Sequence, residues 1–226
     1  MISHSPAAGL FNQDLQNSLK REIKHSRIIK FAKHTNVYTC GDKGENIYFI
    51  ESGQIKLVTL SPEGKECLLA IQTAGDIFGE SCLFGLDEYR ETATAMEASL
   101  IKVIPCSEFF QHLIRESQME SFVKYLAVRV ADQQQIITDL ITIDSEHRLA
   151  ETLLRLAKKL GKKHPRSIII EHKITHEELS MIVGTTRPRI SQFMRKFGKR
   201  DLIEISENRF IIVKEKNLTK YLNQMA

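Results

Sequence analysis

The chain has 226 residues, 27% charged and 42% hydrophobic, with 32 Lys and Arg against 28 Asp and Glu. That length holds one large domain or two modest ones, and the composition excludes a disordered tail, a collagen-like repeat and a membrane bundle. The net charge of +4 conceals a division: residues 1–144 carry 14 Lys and Arg against 19 Asp and Glu, a net −5, and residues 145–226 carry 18 against 9, a net +9. A strongly basic second part predicts a polyanionic partner for it. The N-terminus, Met1-Ile2-Ser3-His4-Ser5-Pro6, lacks a basic stretch followed by an apolar one, and no apolar run reaches the roughly 20 residues of a spanning helix, so a cytoplasmic protein without a membrane partner is expected.

In chain order, Leu10, Phe11, Leu15, Leu19 and Ile23 fall near one face of an N-terminal helix. From Ile28 to Pro105 the pattern turns to short strands: Val37–Thr39, Ile47–Ile50, Ile55–Val58, Cys67–Ile71 and Leu100–Ile104. Gly41-Asp42, Glu51-Ser52-Gly53, Ser61-Pro62-Glu63-Gly64 and Ala74-Gly75-Asp76 punctuate them, which predicts an antiparallel sandwich or small barrel. Met119, Val123, Leu126, Val130, Gln133, Ile137, Leu140 and Asp144 then recur in steps of four and three. This is a heptad seam on a helix of about 25 residues, and it favours pairing with a second copy over packing along the barrel.

After Ile143 a new domain begins. Asp144 or Ser145 caps a helix lined by Leu149, Leu153, Leu156, Ala157 and Leu160 and stopped by Gly161; a turn at Lys162–Pro165 and a strand at Ile168–Ile170 follow. Thr175 and Glu178 make a capping box for the next helix, which Gly184 ends with a left-handed turn. A second helix opens at Thr186-Arg187-Pro188, with proline in the first turn, where amides lack intrahelical partners. Ile190, Phe193, Met194 and Phe197 face its core side, while Arg187, Ser191 and Arg195, with Gln192 and Lys199 beside them, form the opposite face. Helix, glycine turn, second helix and a hairpin wing over Ile203–Val213 make a winged helix-turn-helix. Arginine can donate two hydrogen bonds to guanine and glutamine can pair with adenine, while Thr186 and His176 can hold phosphates. Double-stranded DNA is therefore the expected partner, at a near-palindromic site.

Cys40, Cys67, Cys82 and Cys106 lie 27, 15 and 24 residues apart, without a C-x-x-C pair, so neither a zinc site nor an iron–sulfur cluster is expected; small buried hydrophobes are the commoner role, with redox sensing by one of them the minor alternative. The barrel segment holds only His34 and no H-x-H, which leaves a cupin-like enzyme without a metal triad or catalytic set. A nucleotide sensor that acts through protein contacts alone is the other alternative.

The chain resembles the cyclic-AMP receptor protein/FNR family of bacterial transcription regulators over nearly its whole length. The resemblance is strongest at Gly44–Gly53, from Gly79-Glu80 to Arg90, and at Glu178–Ile203. It implies an α+β protein: an effector-sensing, cyclic-nucleotide-binding-like β-barrel of jelly-roll type (1–116), a long dimerisation helix (117–144) and a DNA-binding winged helix-turn-helix (145–226). It also implies a homodimer and RNA polymerase as a partner. By motif position Arg187 matches the family's base-reading arginine, and Thr186 and His176 match phosphate-contacting sites. Pro188 replaces a base-reading glutamate of cyclic-AMP-type members, so a different DNA sequence is expected.

Asp76–Phe84 with Arg90 looks like the family's phosphate-binding cassette. Gly79 lets amides approach an anion, Arg90 supplies charge and Glu80 can accept from a ribose hydroxyl. Two departures stand out. Glu91 replaces a hydroxyl residue and would repel a phosphodiester unless it points out of the barrel, and Gln133-Gln134 stand where cyclic-AMP-binding relatives carry Thr-Ser against the base. Cyclic AMP, another anionic metabolite, and no small ligand (with Arg90 paired to Glu80 or Glu91) are the three readings left open. No cysteine among residues 1–35 and no histidine between Thr35 and Gln111 disfavour iron–sulfur and haem sensing.

Overall fold

A computed structural model describes residues 13–224 apart from 65, 86 and 172, with residue 84 described by its backbone alone. Leu10 and Phe11, placed on the first helix by their spacing, lie outside the described residues. Two compact units divide between Val128 and Arg129.

The N-terminal unit opens with α1 (Gln13–Lys20) and continues through β1 (Arg27–Phe31), β2 (Asn36–Tyr38), β3 (Asn46–Ser52), β4 (Gln54–Leu60), β5 (Glu66–Thr73) and β6 (Ile77–Phe78). A 3-10 turn (Glu80–Phe84), β7 (Thr92–Ala95), β8 (Ser99–Pro105) and α2 (Cys106–Arg115) lead to α3 (Met119–Thr142). The strands form two four-stranded antiparallel sheets, ordered β1-β8-β3-β6 and β2-β7-β4-β5. The jelly roll is thus built as two sheets around a shared core.

Strand β3 explains why this stretch reads as a continuous apolar run. Successive side chains point to opposite faces, and both faces are buried. Tyr48 and Ile50 enter the core between the sheets with Tyr38, Ile55, Leu57, Phe78, Tyr89, Ala93, Ala95, Ile101 and Val103. Ile47 and Phe49 enter a second core with Leu15, Leu19 and Ile23 of the N-terminal segment, Phe109 and Leu113 of α2, and Phe122 and Tyr125 of α3. Lys102, in β8 beside this second core, is 3% exposed. Its ammonium donates to the carbonyls of Leu19 (2.8 Å), Lys20 (3.0 Å) and Arg21 (3.1 Å), closing the end of α1, and pairs with Glu51 at 3.2 Å.

Helix α3 has 24 residues. Along the expected seam Val123, Val130, Ile137 and Leu140 are 57%, 51%, 57% and 46% exposed, and Gln133 is exposed among them. Asp144 is not part of this helix. It caps the next one, accepting from the amides of Glu146 (2.8 Å) and His147 (2.9 Å).

The C-terminal unit continues with α4 (Ser145–Leu160), β9 (Gly161–His164), β10 (Ser167–Ile170), α5 (His176–Val183), α6 (Arg187–Lys199), β11 (Ile203–Ile205), β12 (Ile211–Val213) and α7 (Glu215–Asn223). Its sheet runs β11-β12-β10-β9. Lys162–His164, expected as part of a turn, instead form an exposed edge strand against β10. Such an edge tolerates lysines because its outer face meets water. Arg209 sits in the wing turn with φ 63° rather than in the strand.

Candidate nucleic-acid interface and barrel site

In the C-terminal unit the capping box is complete: the Thr175 hydroxyl accepts from the Glu178 amide at 3.1 Å, and Glu178 Oε2 accepts from the Thr175 amide at 2.8 Å. Gly184 takes φ 68°, which turns the chain sharply into α6. Ile190, Phe193, Met194 and Phe197 are buried, so the inner face of α6 is fully committed to the core.

Its outer face is exposed at Thr186, Arg187, Gln192, Arg195 and Lys199. Thr186 occupies the cap position without a side-chain capping bond, which leaves its hydroxyl to solvent. Gln192, Arg195, Lys196, Lys199 and Arg200 line a shallow groove of about 400 Å³. Lys196 is held by Glu146 at 2.7 Å, and Glu146 also receives the Tyr221 hydroxyl from α7. No ion pair among the described residues engages Arg187, Arg195 or Lys199.

His176 and Ser191 are brought together, with His176 Nδ1 2.8 Å from Ser191 Oγ. Burial, and then the nearby Arg187 guanidinium, push the His176 imidazole below its usual range, so it is neutral at pH 7. This contact ties the start of α5 to the second turn of α6 and engages the Ser191 hydroxyl. Sequence reasoning treated the two separately, because the link depends on how the helices cross.

Arg148 carries a role that spacing did not reveal. From α4 its guanidinium donates to the carbonyl of Val183, at the end of α5, at 2.9 Å and to that of Ile143, just past α3, at 2.5 Å. Arg155 pairs at 2.9 Å with the buried Asp139 of α3, which also accepts from Gln135 at 2.8 Å. The C-terminal half of α3 is thereby bound to the helix-turn-helix by charge-assisted bonds.

In the N-terminal unit Gly79 has φ 82°, and a Cβ there would meet Tyr48 Cδ2 at 2.8 Å. It caps the turn that carries Glu80, which is half-buried. Around β7 the side chains alternate. Tyr89, Ala93 and Ala95 are buried, Arg90 is exposed, and Glu91 turns its carboxylate to the Tyr38 hydroxyl at 2.7 Å. Just before β7, Glu91 is therefore the half-buried member of the pair, directed to Tyr38, and Arg90 the exposed one. Arg90 makes no ion pair with Glu80 or Glu91 among the described residues.

Four aromatic rings fill the space beside Gly79. Tyr38 stacks on Tyr89 at 3.8 Å, Tyr48 on Phe78 at 5.0 Å, and Tyr38 lies 5.2 Å from Tyr48. Burial and then the Glu91 carboxylate push the Tyr38 phenol far up, so it stays a donor. Gln133 and Gln134 are exposed on α3 and belong to the C-terminal unit, whereas Gly79, Glu80 and Arg90 belong to the N-terminal one. All four cysteines are free thiols; Cys40 and Cys67 are exposed and Cys82 and Cys106 partly so, against the expectation of buried ones. No group of three or more candidate metal ligands occurs among the described residues.

A two-sheet jelly roll followed by a basic winged helix-turn-helix defines a sensor-and-reader class of DNA-binding protein. Residues 28–116 match the cyclic nucleotide-binding domain and residues 147–221 the Crp-like helix-turn-helix domain. The chain belongs to the cyclic-AMP receptor protein/FNR family and is a DNA-binding transcription regulator with a cyclic-nucleotide-binding-type domain. It is 26% identical over 216 residues to a CRP-like cAMP-activated global transcriptional regulator of Mycobacterium tuberculosis, covering 94% of this chain and 96% of that one. It is 27% identical to the anaerobic regulatory protein of Bacillus subtilis, covering 83% and 80%. Among solved structures, a CooA mutant from Carboxydothermus hydrogenoformans superposes with a TM-score of 0.75 at 27% identity, covering 93% and 94%. No helix among the described residues is long and apolar enough to cross a membrane.

Proposed function

We propose that this protein is a homodimeric, sequence-specific regulator, not an enzyme, that inserts α6 into the major groove of a near-palindromic DNA site in the cytoplasm, with RNA polymerase as a further partner. The observation that carries this reading is the two-sided α6: a fully buried apolar face opposite Arg187, Gln192, Arg195 and Lys199, exposed in a segment of net charge +9. Exposed cations that lack ion-pair partners keep their charge for phosphates and guanine edges. In this reading Arg187 and Gln192 read bases, Arg195 reads a base or holds phosphate, Thr186 holds phosphate, and the His176–Ser191 pair fixes the register of α6. Two copies joined along α3 would set half-sites about 34 Å apart.

Selection from random duplexes tests it. The expected result is a near-palindromic consensus for which Arg187→Ala weakens binding by about 1–3 kcal/mol and relaxes one position per half-site. Recovery of no consensus overturns it.

For the barrel, an effector held by Gly79, Glu80, Arg90, Gln133 and Gln134 is one reading, and the cAMP-activated relatives support it. A second is favoured by the inward Glu91 and the four packed rings: a barrel closed by its own side chains that takes no cyclic nucleotide. A carboxylate inside the barrel repels a phosphodiester, and the rings would have to leave before a nucleotide entered. Cyclic AMP at a hundredfold its dissociation constant would stabilise the fold by about 2.7 kcal/mol. An unchanged melting temperature at millimolar cyclic AMP supports the closed barrel; a rise of several degrees supports the effector reading.

A further inference from the structure

Two of the four cysteines meet. Cys82 lies in the 3-10 turn that follows Gly79, and Cys106 is the first residue of α2. Cys106 Sγ lies 3.3 Å from the Cys82 carbonyl oxygen, to which it donates. Both are free and partly exposed. Each sits on a well-held element: Cys82 packs with Leu83 against the second core, and the Cys106 amide donates to the Glu45 carbonyl at 3.0 Å. The Cys106 sulfur therefore already lies against Cys82, and side-chain rotation rather than unfolding of either segment is what a disulfide between them requires.

We propose that Cys82 and Cys106 form a thiol–disulfide couple that reacts with low-molecular-weight disulfides and, when oxidised, staples the turn after Gly79 to the start of α2. The Cys106 thiolate attacks one sulfur of the small disulfide; that S–S bond breaks and one small thiol leaves. Cys82 then loses its proton to solvent and attacks Cys106 Sγ, a new S–S bond forms and the second small thiol leaves. Two protein thiols are oxidised and one small disulfide is reduced to two thiols, so no other oxidant is needed.

The order of attack follows from the surroundings. Burial, and then the neighbouring Cys106, push the Cys82 thiol well up, so Cys82 is the slower nucleophile and acts as the resolving sulfur. Closure consequently accelerates as pH rises, because its rate follows the Cys82 thiolate. The link has a route into the rest of the unit: Phe109 of α2 packs edge-on to Phe122 of α3 at 5.3 Å, so a staple at the start of α2 bears on the start of α3. This inference is independent of the DNA reading.

The test uses the full chain in buffers of fixed oxidised-to-reduced glutathione ratio, quenched by alkylation and mapped by peptide mass spectrometry. The expected result is the loss of two thiols within one chain, a Cys82–Cys106 linked peptide, and faster linkage at pH 8.5 than at pH 7. Cys82→Ser and Cys106→Ser should each abolish the link, with Cys82→Ser trapping glutathione on Cys106. The proposal is overturned if Cys82 and Cys106 both remain alkylatable at ratios that place glutathione on the exposed Cys40 or Cys67. It is equally overturned if the linked peptide joins other cysteines or two chains.

Discussion

His112 illustrates how one buried side chain can tie two segments together. It is 1% exposed; its Nε2 lies 2.8 Å from Ser18 Oγ and 3.1 Å from the Ser18 carbonyl, while Arg115 Nη2 lies 3.2 Å from Nδ1. Because the guanidinium can only donate, Nδ1 accepts and Nε2 carries the proton, which points at Ser18. Burial lowers its pKa, the Ser18 carbonyl and Glu116 oppose the effect, and Arg115 and Lys102 add to it. A histidine depressed on folding contributes stability that is complete above its unfolded value of about 6.5 and is lost as pH falls through the folded value. Substituting His112→Gln should therefore narrow the gap in unfolding free energy between pH 7.5 and pH 5.5 relative to wild type, as read from urea titrations at each pH. Lys102→Met tests the neighbouring anchor. It leaves three carbonyls at the end of α1 and the Glu51 carboxylate without the ammonium, and should cost about 3–5 kcal/mol in the same titrations.

Among the elements, α3 carries the most consequence. Its outward stripe of Val123, Val130, Ile137 and Leu140 keeps heptad spacing and is about half exposed, which an isolated helix in water has no reason to maintain. If a second copy covers it, Val130→Glu with Ile137→Glu removes about 1.5–3 kcal/mol of burial per side chain and introduces facing charges. Sedimentation should then show monomers, and affinity for a palindromic duplex should collapse while binding to a single half-site persists. Helix α4 supplies the second test at this level, because Arg148 holds the ends of α3 and α5 together. Arg148→Ala should cost about 1–3 kcal/mol of stability. It should also weaken DNA binding with no loss of any group on the outer face of α6, as read by fluorescence anisotropy with the selected duplex.

Across the whole molecule the charge division organises behaviour. A segment of +9 attracts any duplex, so binding should fall steeply with salt. Lys199→Ala should reduce the log–log salt slope by about two in a dimer, one for each copy, without changing the preferred sequence, as measured by titrations across several salt concentrations.

Local features of this chain are legible in its sequence. The capping box at Thr175 and Glu178, the left-handed Gly184 and the i, i+3, i+4, i+7 face of α6 are all contained within a few turns of one helix pair. Those features depend on intrinsic backbone preference and periodicity, which neighbouring residues dictate. Strands β1 and β7 were harder to see. Arg27 and Lys30 interrupt the apolar residues of β1 and threonine alternates with alanine in β7, and their pairing partners, β8 and β4, lie far away in sequence. The Lys162–His164 edge strand was hidden for the same reason, since its polar composition reads as a turn until β10 is beside it.

The residues of this chain determine by themselves its two-part charge, its helix caps, the heptad stripe and the cationic outer face of α6, because each follows from composition or from a period of 3.5 to 3.6. Tertiary structure alone decides which way Arg90 and Glu91 face, that four aromatic rings pack beside Gly79, that Lys102 and His112 hold α1, and that Cys82 meets Cys106. The physical reason is register. In a strand a shift of one residue exchanges inside for outside, and only long-range pairing sets it.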